Sequence, residues 1–297
     1  MRVTIALSLI AVLGGAPLQP VAAHAQEPPA TWEDLKPDLP RRAVKRRTHR
    51  LPLSDQADRG GWELYKPLTD EFKGGNLDPA RWNNPNPTWK GRQPGWFSPR
   101  NVEVQGGQMH LTMRKEEPAD MPKAEGYHTW TSAAVQSKER VLYGYFEVRA
   151  RAMKSHGSSA FWFYTSEPER WTEIDVFEIG GGAPSFARKL FMTCHVMHSP
   201  EVKQHLSVGG VWNAPFDLAD QYHVYGLEWD EASIRFYFDG LLVRQGPNVH
   251  WHQPLTMNFD SETMPDWFGL PLDKDLPSTF SVDYVRTWKK KAAQPGV

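Results

Sequence analysis

The chain has 297 residues, 40% of them hydrophobic, with 13 Trp, 25 Pro and a formal net charge of −1. That balance excludes a dedicated nucleic-acid binder, which needs a basic face. Cys194 is the only cysteine, so no intramolecular disulfide can form and stability must come from a large core.

Met1-Arg2 and the apolar run Val3 to Gly15 read as a secretory signal peptide. Pro17 and Pro20 break the run too soon for a membrane span, and no later run is apolar for long enough to be one. Ala23-His24-Ala25 supplies the small-x-small pattern, which puts cleavage after Ala25 and gives 1–25 as the leader. A soluble, secreted protein, extracellular or periplasmic, is expected. Residues 26–60 are rich in Pro and charge, with a basic run from Pro40 to Arg47. They read as a surface arm or linker, either simply solvated or touching an anionic polysaccharide. A single domain is expected over 61–291, followed by a short polar tail at 292–297.

From residue 61 the pattern is one strand after another. Met109 to Met113 alternates, and so does Phe146 to Ala152, with small apolar residues on one face and Glu147, Arg149 and Arg151 on the other. Ile234 to Phe238 runs into Asp239-Gly240 and on to Leu241-Leu242-Val243, a hairpin signal. Phe280 to Trp288 reads as a closing strand. With no long helical period and no internal repeat, the fold class is all-β. Two curved antiparallel sheets packed as a sandwich would leave a concave face suited to a long ligand.

Glu173-Ile174-Asp175-Val176-Phe177-Glu178 puts three carboxylates into an apolar, β-prone stretch. Crowded like charges are costly to bury, so such a cluster needs a use. Glu173 and Asp175 share a strand face by simple alternation, which would turn Glu178 away. One extra residue, a β-bulge near Val176–Phe177, would return Glu178 to that face. Retaining glycosidases need two carboxyls about 5–5.5 Å apart. Glu173 is then the expected nucleophile, Glu178 the acid and later the base, and Asp175 the group that orients the nucleophile and separates their protonation states. A charged edge strand or a calcium site would also gather carboxylates, but the flanking aromatics favour a sugar cleft. His195 and His198, three apart on no helix, do not make a zinc pair.

Trp171-Thr172-Glu173-Ile174-Asp175-Val176-Phe177-Glu178 resembles the catalytic strand of glycoside hydrolase family 16 in its bulged Glu-x-Asp-x-x-Glu form. Thr69 to Gly74, Leu77 to Trp82, Gly144 to Ala150, Phe161-Trp162, Tyr222 to Trp229 with Phe238-Asp239-Gly240, and Val282 to Arg286 resemble other segments of that family in the right order. The resemblance runs from about Leu68 to Trp288. It implies a concanavalin-like β-jelly roll, a retaining mechanism and no catalytic cofactor. It also implies a His near the acid on the neighbouring strand, matched by His195, and aromatics near the cleaved bond, matched by Trp162 and Trp171. A structural calcium on the convex side would use Asp283.

Laminarin- and lichenin-type members usually carry Trp-Pro-Ala-Phe-Trp where this chain has Ser158-Ser159-Ala160-Phe161-Trp162. The block from Trp89 to Phe97 resembles instead the branch acting on red-algal galactans. Trp89 and Trp96 offer flat faces for galactose rings, and Arg92 offers a fork for hydroxyl or sulfate oxygens. The expected activity is endo-hydrolysis of β-1,4 bonds in an agar-type galactan, agarose or porphyran, by a monomeric enzyme. The alternatives are a κ-carrageenase, a β-1,3-glucanase or a carbohydrate-binding lectin on the same sandwich. The lectin is disfavoured because all three carboxylates are intact.

Overall fold

The structure, a computed structural model, describes residues 29–37 and 44–291. The leader, its cleavage point, residues 40–43 of the basic run and the tail 292–297 lie outside the described residues. Seventeen strands and five short 3-10 turns make up the described fold. It is the all-β sandwich that the alternating segments predict.

One sheet is concave. Across it run, in order, Leu206–Asn213, Lys189–His198, Arg170–Ile179, Ser158–Glu167, Leu255–Glu262 and Trp130–Val141, each antiparallel to its neighbour. The short strand Gly95–Phe97 runs parallel to the start of Trp130–Val141. The outer sheet runs Val102–Gln105, Gln108–Lys115, Ser278–Lys290, Gly144–Arg151, His223–Trp229, Ser233–Phe238 and Leu241–Pro247. Arg114 and Lys115 pair with Thr131 and Trp130, joining the two sheets at one edge.

Period-two patterning decides which side of each strand meets the core. Phe146 and Val148 from the outer sheet and Phe161, Phe163, Ile174, Phe177 and Phe259 from the concave sheet are all fully buried between them. Phe161 stacks on Phe259 at 4.9 Å. Each such side chain contributes about 1.5–3 kcal/mol on leaving water. Asp239 and Gly240 both take positive φ, 47° and 82°, as a two-residue hairpin turn requires.

The arm is packed on the domain over its described residues. Glu147 lies on a face that alternation assigns to the surface, yet it is 0% exposed because residues 44–60 cover it. Arg46 pairs with its carboxylate, the Leu53 N–H donates to Oε2 at 2.7 Å, and the Tyr284 hydroxyl donates to Oε1 at 2.9 Å. Trp288 Nε1 donates to the Arg50 carbonyl at 2.7 Å. Further upstream, Glu33–Asp34 adds to the edge strand Leu241–Pro247. Trp32 lies against Phe236 and Trp251, and a Cβ on Gly246 would meet its ring at 2.1 Å, so glycine is needed there. No described helix is long and apolar enough to cross a membrane.

Candidate active site

On Arg170–Ile179, Asp175 stands opposite Trp162, and the next pair is Phe177 with Phe161, so Val176 is the extra residue. On the other flank Asp175 faces Thr193 and Glu178 faces Phe191. Val176 and Phe177 are both buried, at 2% and 0% exposure. The strand thus turns two successive apolar side chains inward and brings Glu178 back beside Glu173 and Asp175 on the concave face.

Two further acids join them. On Leu255–Glu262, Met257 and Phe259 enter the core, while Asn258, Asp260 and Glu262 alternate onto the concave face. Ala160 pairs with Glu178 on one side and with Asp260 on the other, so only a methyl group separates those two acids across the sheet. The Trp162 indole N–H donates to Asp260 Oδ2. Arg92 Nε donates to Glu262 Oε2 at 3.1 Å, with its side chain still 49% exposed.

Burial is the main reason that all five carboxyls hold protons more tightly than usual. Glu173 is raised well above the ordinary range by burial and then by the charge of Asp175. Asp175 is pushed up to about 8 by burial, eased by a hydrogen bond with Glu173. Glu178 is raised well above its usual range by burial and then by Asp175, Glu262, Glu173 and Asp260. Burial and Glu262 raise Asp260, and Glu262 itself reaches about 7 despite Arg92. Burial lowers His195, with Glu173 opposing. Burial and mutual repulsion therefore favour the protonated form across the site, the condition for holding a general acid at neutral pH.

His195 pairs directly across from Glu173, and its Nε2 lies 3.3 Å from Asp175 Oδ2. Cys194, one residue back, is buried in the core, so the two face opposite ways. Trp162 stacks on Tyr164 at 4.7 Å and meets the edge of Trp89 at 6.1 Å. Trp89 packs in turn on Phe97 at 4.8 Å. Trp96 sits on the other face of its strand from Phe97 and so is not brought into this aromatic group. Trp171, 37% exposed, stands at the near end of the carboxylate strand, edge-on to His198.

Asp283 lies on the outer sheet, with Arg149 donating to its Oδ2 at 2.8 Å. A guanidinium already neutralises that carboxylate, and among the described residues no set of three acidic, His or Cys groups converges there. A calcium ion there would have to compete with that guanidinium and draw most of its six to eight oxygens from backbone carbonyls and water.

Asp260, Glu262, Tyr164 and His205 were not singled out by the sequence reading. The usable signal was the alternation Met257-Asn258-Phe259-Asp260-Ser261-Glu262, polar on one face like the carboxylate strand. An apolar rim also closes the Glu178 end, where Trp267, 36% exposed, packs on Phe191 at 4.7 Å and on Phe268 at 4.3 Å.

The family profile described as the GH16 domain of beta-porphyranases A–D matches residues 62–290. Beta-porphyranase E of Zobellia galactanivorans is 30% identical over 250 residues, covering 76% of this chain and 88% of that protein. A kappa-carrageenase of Pseudoalteromonas carrageenovora is 25% identical over 273 residues, 77% of this chain and 65% of that protein. The crystal structure of porphyranase B from Zobellia galactanivorans superposes with a TM-score of 0.70 at 25% identity, covering 77% of this chain and 92% of that one. The profile match over the whole described domain, together with the concave sheet and its bulged carboxylate strand, establishes that this chain belongs to glycoside hydrolase family 16.

Proposed function

We propose that the protein is a secreted, retaining endo-hydrolase of β-1,4-galactosidic bonds in agar-type red-algal galactans, with porphyran and agarose as its substrates. The observation that carries this reading is the bulge at Val176, which gathers Glu173, Asp175 and Glu178 on one face. The aromatic group of Trp89, Trp162 and Tyr164 and the half-exposed Arg92 beside Glu262 support a galactan, with Arg92 available to hydroxyl or sulfate oxygens.

Glu173 attacks the anomeric carbon and forms an ester bond as the glycosidic C–O bond breaks. Glu178 passes its proton to the departing oxygen, so no free alkoxide forms. In the second step the Glu178 carboxylate takes a proton from water as its oxygen attacks the same carbon, freeing Glu173 and restoring the original anomeric configuration. The hydrogen bond with Glu173 favours the ionised form of Asp175, so Asp175 orients Glu173 and takes up its proton as Glu173 attacks. Burial, and then the surrounding acids, keep Glu178 protonated until the leaving oxygen needs it. No cofactor enters these steps, and the enzyme acts as a monomer.

Reducing-end release on porphyran, agarose, κ-carrageenan and laminarin tests the assignment. Activity is expected on the first two, abolished by Glu173→Gln and reduced about 10²–10⁴-fold by Glu178→Gln. Proton NMR of the first product should show the β-anomer. Activity confined to laminarin or κ-carrageenan refutes the substrate class, and normal activity in Glu173→Gln refutes the mechanism.

A further inference from the structure

We propose that Glu173, Asp175 and His195 form an inhibitory binding site for a zinc-class transition-metal cation, whose occupancy reversibly shuts the cleft. One carboxylate oxygen from each acid and one ring nitrogen of His195 lie within 4.8 Å of one another. Neighbouring strands hold the three donors in fixed register, with Glu173 directly opposite His195 and Asp175 opposite Thr193.

The pointer to a ligand is Asp175 Oδ2. Its side chain is only 6% exposed, yet this oxygen has no hydrogen-bond partner, an expensive state for a buried acceptor. His195 Nε2 lies 3.3 Å away without hydrogen-bonding geometry. A tetrahedral ion with bonds of about 2.0–2.1 Å holds neighbouring ligand atoms about 3.3 Å apart. Such atoms aim at the common centre rather than at each other, which explains a short contact that is not a hydrogen bond.

His205 completes the arrangement. Its Nε2 is 2.9 Å from His195 Nδ1. With His205 accepting, the proton of His195 sits on Nδ1 and the Nε2 lone pair faces Asp175. Metal-binding histidines are commonly oriented in this way by a partner on the far nitrogen. A mixed donor set of two oxygens and one nitrogen suits zinc, cobalt or copper, whereas calcium and magnesium prefer oxygen alone. Three protein ligands leave a fourth position for water on the cleft side. The inhibitory consequence rests on the reading of Glu173 as nucleophile, because the ion would occupy the lone pair that attacks sugar. Loading expels the protons held by Glu173 and Asp175 and changes no oxidation state.

Metal-free protein titrated with Co²⁺ alone, without substrate, tests the site. One equivalent should give the visible absorption of tetrahedral cobalt, displaced by Zn²⁺. His195→Ala and Glu173→Gln, each checked for native circular dichroism, should lose the band. His205→Ala should weaken zinc binding about 10–100-fold in calorimetry. Zinc inhibition of turnover should fall as substrate concentration rises. Absence of a tetrahedral band overturns the proposal, as does a band that survives in both His195→Ala and Glu173→Gln. Since the spectrum needs no sugar, failure on every galactan would refute the substrate reading and leave this one standing.

Discussion

Replacing Arg46 with Met probes whether the arm belongs to the folded unit. Glu147 is 0% exposed, and its carboxylate takes one guanidinium, one backbone N–H and one hydroxyl. Removing the guanidinium strands a buried charge, a loss of about 3–5 kcal/mol. The Leu53 N–H and the Tyr284 hydroxyl remain, each a charge-assisted bond of about 1.5–3 kcal/mol, so the lower end, about 3 kcal/mol, is expected. In a domain of this size about 1 kcal/mol moves the melting temperature by about 2–4 °C, which gives a fall of about 6–12 °C. Adding Glu147→Gln removes the charge but keeps an acceptor for Leu53, and should restore stability to within about 1 kcal/mol of the parent. Urea unfolding of the parent, both single variants and the double variant measures the cycle. A truncated protein starting at residue 61 should lose more than Arg46→Met does. An Arg46→Met variant within about 0.5 kcal/mol of the parent, or a truncated protein with an unchanged midpoint, would refute the reasoning.

Asp175 and Glu262, held up to about 8 and about 7 chiefly by burial, make the folded state bind more protons than the unfolded chain above about pH 4. Their raised values mean that this contribution to stability is complete at low pH and is lost as pH climbs toward 8. The double variant Asp175→Asn/Glu262→Gln should flatten that decline in urea unfolding between about pH 5 and 8, and an unchanged slope would refute it. Arg92→Met should change stability by about 1 kcal/mol or less, because the arginine is half exposed and Glu262 can take up a proton. Its KM should rise more on porphyran than on agarose; equal changes would remove sulfate recognition from Arg92. Trp171→Ala should leave the melting temperature within about 2 °C, its side chain being exposed, while raising KM for galactan. An unchanged KM would place Trp171 outside the occupied cleft.

The carboxylate strand and its bulge were legible because they are local: three acids in six residues conflict with a β-prone, apolar context, and period-two geometry leaves one resolution. The hairpin at Asp239-Gly240 was legible for the same reason. Asp260 and Glu262 were not, since a strand with one polar face reads as solvent-facing until its neighbour is known. That neighbour, Ser158–Glu167, lies roughly a hundred residues away in sequence. The burial of Glu147 was not legible: alternation sets it with Arg149 and Arg151 away from the small apolar residues, and its partner Arg46 sits in a basic run that by composition resembles a solvated tail. Trp96 and Phe97 are both plausible sugar platforms in composition. Which of them joins Trp89 depends on how a three-residue strand docks on Trp130–Val141, and no local pattern encodes that.

The extra residue at Val176 has a consequence for how this gene can vary. In a regular, unbulged stretch of strand, losing one codon exchanges inside for outside for every side chain beyond the deletion. At Val176 the outcome is reversed. Shortening the segment to Glu-Ile-Asp-Phe-Glu leaves all three acids at alternate positions of an ordinary strand, and Phe177 still points inward. One inward valine is lost, so the price is a void, not a reversal of polarity. A single-codon deletion there would therefore change the curvature and spacing of the cleft while preserving its chemistry, making the length of this strand a heritable variable.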